Sequence, residues 1–464
     1  MATMMDTGPQ LPLESIDPAT GEEFACYTPW SPDRIDEALV NAQRAGVRWR
    51  HSTLEERSAL LRRVAGRLRE QSAELSDLAG REMGKLAAEA RTEIERSVMV
   101  LEHYAKTVHS VLAPTSVPVE TGTATIHSEA LGPLLAVMPW NFPFWQVFRF
   151  AAPAIAAGNV VLLKHAPRVT GCGLAIERIW RDDGVPPGIF QTLLIEESDV
   201  ARLIEDARVR GVTLTGSERA GRAVASAAGR ALKKSVLELG GSDPFVVFDD
   251  APLDLAVDAA LRSRFANAGQ TCIAAKRFIL CPKIAEPFLE AFIAGARRLT
   301  PGHPRDERSR LAPLARADLR AHLARQVADS VARGARLLLG GKVPEEPGYF
   351  YPATILDRVE PGMPAFDEEL FGPVAALVRA ESEEEAVHLA NATRFGLGAS
   401  VWTEDRARGE RLAHVIEAGS VFVNGLVRSD PRLPFGGMKS SGYGHELGTA
   451  GLLEWVHQKT LWVR

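Results

Sequence analysis

Cysteine is scarce in this chain. Its 464 residues hold four, Cys26, Cys172, Cys272 and Cys281, and no two stand in a CxxC pair. That excludes a disulfide framework and argues against a zinc site, so no metal is expected. Long apolar runs are also missing. The most apolar segment, FAAPAIAAGNVVLL, is interrupted by Pro153, Gly158 and Asn159 and is too short to span a bilayer. The stretch MATMMDTGPQLPLESIDPATGEEF shows no basic n-region and no apolar h-region. No signal peptide is read there, and a reducing, cytoplasmic setting is expected. Nor does one charge dominate: a net of −5 gives no basic field for nucleic acid and no solvating acidic tail. What remains is ordinary globular composition, 46% hydrophobic and 24% charged, in a chain too long for one core. Two or more domains are expected.

From Ser31 to about Leu112 the pattern is helical. Ser31-Pro32 reads as an N-cap followed by proline at the first helical position. Ser52-Thr-Leu-Glu55 has capping-box spacing. VPVETGTATIHSEAL, Val117 to Leu131, alternates around Thr121-Gly122 and reads as a hairpin needing something to pack on. Beyond it, short apolar runs (LLAVMPW, NVVLLK, GVTLTG) alternate with helical ones (DVARLIEDAR, and a helix from Glu218). Such alternation predicts a parallel, doubly wound α/β sheet. A second α/β stretch starts near Gly241, with PFVVF, a helix from about Leu253 to Ala268, the strand RFILC and helices to Ala332. LLEWVHQKTLWVR reads as strand.

Four stretches carry chemistry, each beside a plainer reading. TLTGSERAG orders strand, glycine turn and helix start, which makes an anion site suited to a pyrophosphate, or an ordinary turn. VLELGGSDP sets Glu238 among leucines, where a carboxylate gains a raised pKa and can act as a base, unless it faces solvent. MPWNFPFW holds Asn141, an oxyanion donor or a self-capping turn residue. In NAGQTCIAAKR, Cys272 falls in a loop after Gly269, where reactive groups tend to sit, although a free cysteine is more often inert packing.

In order along the chain, PWNFP, GNVVLLK, GVPPGIFQ, TGSERAG, LELGGSDP, NAGQTC, EELFGPV and PFGGMKSSG together resemble the NAD(P)-dependent aldehyde dehydrogenase superfamily, over nearly the whole length. MPWNFPFWQV, LLKHAP and LGGSDPF are most similar to the bacterial succinate semialdehyde dehydrogenases. The resemblance implies a Rossmann-like cofactor domain (1–111 and 131–240), an α/β catalytic domain (241–442) and a small β oligomerisation element (112–130 and 443–464). A homodimer or homotetramer follows from it. It implies Cys272 as nucleophile, Asn141 as oxyanion donor and Glu238 as the base that activates water. The cofactor, NAD or NADP, would be held by Trp140, Lys164, Gly216, Ser217, Gly221, Glu369 and Phe371. Arg149 matches one of two arginines that clamp the substrate carboxylate in succinate semialdehyde dehydrogenases, and Ser429 matches a hydroxyl contact.

The chain departs from the pattern at three places. Where many NAD-preferring relatives carry an acid three residues after the lysine, it has Pro167 and then Arg168, so NADP is expected to be tolerated. The second clamp arginine is replaced by Ala266, with Arg428 and Arg432 as candidate substitutes. Ala274 stands where some relatives have a second cysteine, so no local disulfide switch is expected. The alternative within the class is a broad aliphatic or aromatic aldehyde dehydrogenase. The alternative outside it is a non-catalytic structural or binding member, which would be free to lose Cys272, Asn141 or Glu238. A coenzyme A acylating member is disfavoured by Glu238.

Overall fold

The computed structural model describes residues 12–181 and 186–464; residues 1–11, where part of the signal-peptide reading falls, and 182–185 lie outside the described residues. Ser31 caps the helix Pro32–Trp49 by accepting from the Arg34 N–H. The capping box sits one residue later than expected. Thr53 and Glu56 each bond the other's backbone, opening Leu54–Glu70 in the phase that buries Leu60, Leu61, Val64 and Leu68. The longest helix, Ala87–Val111, buries Ile94, Val98, Leu101 and Val108.

Two larger sheets follow. The first runs Gly442–Tyr443, Lys234–Glu238, Gly211–Thr215, Pro133–Met138, Val160–His165, Phe190–Thr192, all parallel except its first strand. The second runs Arg336–Leu339, Thr354–Asp357, Val374–Arg379, Ala275–Leu280, Asp243–Val247, Gly398–Trp402, Ser420–Val423, again parallel but for its first strand. Central strands such as Val160–His165 are buried on both faces, as covered parallel sheets require. The apolar cores change over between Leu239 and Phe245.

The hairpin pairs Val117 with Ala124, and Val456–Val463 lies antiparallel along the whole of Thr123–Ala130. Residue 443, where a break is expected, lies in a short strand. Tyr443 belongs to the edge of the first sheet, and Leu447, Leu452 and Trp455 are buried in the first core. LLE of the final segment is helical, within Gly448–Leu453, so only the strand after it joins the hairpin. Its Leu461, Trp462 and Val463 side chains are about half exposed. Among the described residues no helix is long and apolar enough to cross a membrane.

Candidate active site

Glu238 ends a strand of the first sheet, and the two glycines after it let the second domain close in. A Cβ on Gly240 would meet the Glu369 carboxylate at 2.4 Å, and one on Gly241 would meet the Cys272 carbonyl at 2.7 Å. The Gly241 N–H donates to Glu369 Oε1 at 3.1 Å. The LELGG spacing is therefore a matter of clearance: it brings Glu238, Glu369 and the Cys272 loop to one place.

The helix expected to reach Ala268 stops at Phe265. Asn267, Ala268 and Gly269 are all left-handed, with φ of 53°, 52° and 73°. Two of these carry side chains, so the loop holds strain that its surroundings must fix. They do so with side chains. The Asn267 N–H donates to Glu89 Oε1 at 2.7 Å instead of to a helical carbonyl. Asn267 Nδ2 donates to the Asn141 carbonyl at 2.9 Å, and Asn141 Nδ2 donates to the Gln270 carbonyl at 2.9 Å. Arg264 donates to the carbonyls of Gly269 and Gly372. Lys276, fully buried, donates to the carbonyl of Cys272 at 2.7 Å and of Thr271 at 3.0 Å. One Asn141 N–H is thus used for orientation, and among the described residues Asn141 Nδ2 has no second acceptor; the residue lines the cavity that Cys272 and Glu238 share.

The electrostatics of this corner are set by burial. Glu238 is 2% exposed and neither of its oxygens accepts a hydrogen bond. Burial raises its pKa, and Arg149 pulls it back. Burial, then Glu238, push the Cys272 thiol well above its ordinary range. Arg149 stands between two carboxylates, its Nη2 2.5 Å from Glu446 and 3.5 Å from Glu238, with its guanidinium over the Phe435 ring. Burial raises Glu446 to about 7, against Arg149 and with Glu238 adding to the rise. One guanidinium facing two buried carboxylates does not offset the burial of both, so each carboxyl keeps a raised pKa. Arg149, the residue that matches a substrate clamp, is held here between Glu446 and Glu238.

The sequence reading missed the residues that prop these loops, because they lie far away in the chain. On the helix Ala87–Val111, Glu93 Oε1 accepts from the N–H groups of Phe144 and Trp145, fixing the backbone just after Asn141. Its other oxygen pairs with Lys85, both side chains buried. Lys85 in turn packs over the Phe142 ring. The only signal was a run of acids on the apolar side of a helix. Lys85→Met leaves Glu93 buried and unpaired, so it is expected to cost ~3–5 kcal/mol of stability, read from denaturant unfolding. A loss under ~1 kcal/mol would show the pair to be dispensable.

A cavity of about 930 Å³ runs from Cys272, Asn141 and Glu238 to the N-terminus of the helix Glu218–Arg230. It is lined by Trp140, Lys164, Gly216, Ser217, Glu369 and Phe371, with Trp140 and Phe371 edge to face at 5.7 Å. Ser217 is the N-cap, accepting from the Ala220 N–H, so the first turn presents its free N–H groups to the cavity. Lys164 is buried and has no hydrogen-bond partner among the described residues, the state of a cation awaiting an oxygen ligand. These features fit a dinucleotide. Gly221 is corrected: it does not line the cavity, and a Cβ there would meet Leu239 at 2.6 Å, so it serves helix–strand packing. Glu197 lines the same cavity and raises the Lys164 pKa against the larger lowering effect of burial. Ser429 lies off this cavity, its hydroxyl accepting from Arg96 at 2.9 Å. Arg432 is paired with Asp430. No group of three or more His, Cys, Asp or Glu among the described residues could hold a metal ion.

Comparison with known proteins agrees with this geometry. The chain is 46% identical to the NAD(P)+ succinate semialdehyde dehydrogenase Sad of Escherichia coli (strain K12), over 97% of each chain. It is 45% identical to a probable NADP+ succinate-semialdehyde dehydrogenase of Synechocystis sp., covering 97% of this chain and 99% of the relative. Among solved structures, the succinic semialdehyde dehydrogenase of Streptococcus pyogenes in complex with NADP+ superposes with a TM-score of 0.95 at 35% identity, covering 97% and 99% of the two chains. Residues 5–461 match the aldehyde dehydrogenase family, and the chain belongs to it.

Proposed function

We propose that this protein oxidises succinate semialdehyde to the acid with NAD or NADP, and that Cys272, Asn141 and Glu238 carry the reaction. The observation that supports this most is the meeting of a thiol, an amide N–H and an unbonded buried carboxylate at one end of a dinucleotide-sized cavity. The Cys272 thiol gives up its proton and its sulfur adds to the aldehyde carbon, forming a tetrahedral thiohemiacetal. The free N–H of Asn141 and the backbone N–H of Cys272 receive the developing oxyanion; each such donor is typically worth ~10²–10³ in rate. The nicotinamide, when bound, supplies the hydride acceptor. Glu238 then takes a proton from water as that water attacks the acyl group on Cys272, and the thiol leaves. Arg149 keeps the buried Glu238–Glu446 pair from carrying two uncompensated charges.

The exposed outer side of the strand Val456–Val463, beside the hairpin, supports a homo-oligomer built through this sheet. The composition supports a cytoplasmic enzyme. The substrate is tested by steady-state rates on an aldehyde panel with each cofactor. Succinate semialdehyde is expected to give the highest kcat/KM, at least ~10-fold above unsubstituted butanal, because a carboxylate contact adds charge-assisted hydrogen bonds. Equal values would point instead to a broad aldehyde dehydrogenase.

A further inference from the structure

With Arg149 held by two carboxylates and the second clamp position occupied by Ala266, the site lacks an obvious cation for an anionic substrate. The helix Ala87–Val111 offers one. Glu89, Glu93 and Arg96 follow at four- and three-residue spacing and so share a face. Glu89 holds the N–H of Asn267 in the Cys272 loop, and Glu93 holds the backbone just after Asn141. Arg96 is next on that face. Its guanidinium lies over the Trp145 ring at 4.5 Å, and its Nη2 donates to Ser429 at the hydroxyl (2.9 Å) and the carbonyl (3.4 Å).

Arg96 has no acidic partner within ion-pair distance among the described residues, although it is half-buried. Burial, and after it Arg149, lowers its pKa; Glu93 opposes this and Arg428 adds a smaller fall. Arg428 is exposed and helps lower the pKa of Asp430. Arg96 thus donates to Ser429 with no carboxylate bonded to it, one step along the helix face from the props of the reactive loops. Arginine carries five donors in a planar fork, and here only one nitrogen is occupied. A carboxylate is the ligand that matches such a fork, and aromatic stacking on Trp145 holds the fork's plane.

We propose that Arg96, with the Ser429 hydroxyl and Arg428, receives the carboxylate of the aldehyde substrate. The inference rests on the ω-carboxy aldehyde reading above and assigns its anion to residues outside the Arg149 position. It makes the chain's departure at Ala266 intelligible: the charge absent before the cysteine comes from a different helix.

The test compares wild type, Arg96→Met and Arg96→Lys on succinate semialdehyde and on butanal, with succinate as a competitive inhibitor. Arg96→Met is expected to lower kcat/KM for succinate semialdehyde roughly 10- to 100-fold relative to butanal, mainly through KM. Its succinate inhibition constant is expected to rise by a similar factor, and Arg96→Lys to recover part of both. Equal losses on the two aldehydes, or an unchanged succinate constant, would show that Arg96 only props the Ser429 loop and would overturn the proposal. Should Arg96→Met fail to fold, Arg96→Lys and Ser429→Ala carry the same comparison, and an unaltered ratio in both overturns it equally. A wild type that does not favour succinate semialdehyde over butanal defeats the substrate reading itself, whatever Arg96 does.

Discussion

Cys272→Ala is expected to reduce aldehyde oxidation by on the order of 10⁴-fold or more, as loss of a covalent nucleophile does elsewhere. Cofactor binding should survive, because the features that fit the dinucleotide, the Ser217 turn and Lys164, come from the first sheet and not from the Cys272 loop. Titration of NAD(H) fluorescence would separate the two effects: retained binding with lost turnover is the expected pair. The thiol itself gives a second check. Since burial and Glu238 push it well above its ordinary range, alkylation of the free enzyme by iodoacetamide should keep accelerating as pH rises past 8.5. A plateau below neutral pH would mean that the resting site holds a thiolate, against the reading given for its electrostatics. Residual turnover near wild type in Cys272→Ala would remove the nucleophile assignment altogether.

Glu238→Gln is expected to split the reaction in time. Addition to the aldehyde and the first oxidation use Cys272 and Asn141, so one equivalent of reduced cofactor should form in a burst. Hydrolysis of the acyl group needs a base, so steady turnover should then fall by ~10²–10⁴-fold. The wild-type pH dependence follows from the same residue. Glu238 must be ionised to take a proton, and burial raises its pKa, so the hydrolytic rate should drop as pH falls through a value above the ordinary carboxylate range. In Glu238→Gln that limb should disappear. A substitution that leaves both the steady rate and the pH profile intact would move the base elsewhere, and Glu446 is the neighbour to examine next. Its pKa of about 7 puts it in the range of a working acid or base.

Local rules carried the sequence reading a long way. Proline and serine placed the first helix start, the alternation around Thr121-Gly122 gave a hairpin, and strand–helix alternation gave parallel sheets; each depends on neighbours within a few residues. The capping box at Thr53 was missed by one position because two hydroxyl residues in a row offer two phases, and only packing of Leu60, Leu61 and Val64 selects between them. The helix before Cys272 was read too long for a similar reason. Nothing local shows that the Asn267 N–H will leave the helix for Glu89, which lies 178 residues away.

The sequence by itself determined the family, through motifs whose spacing few other chains share, and with it the residue types that meet at the site. It could not say which charges would be free. Arg149 looked available because an isolated motif carries no record of Glu446, close to 300 residues later, which meets it in a buried pair. Gly221 looked like a cofactor contact, yet Leu239 from the adjoining strand occupies its space. Pro167 looked like a missing acid, and the turn residue Glu197 brings a carboxylate to the same cavity. In every case the deciding quantity is a distance between segments remote in the chain. Coulomb energy, desolvation and excluded volume all depend on that distance, and only the tertiary fold sets it.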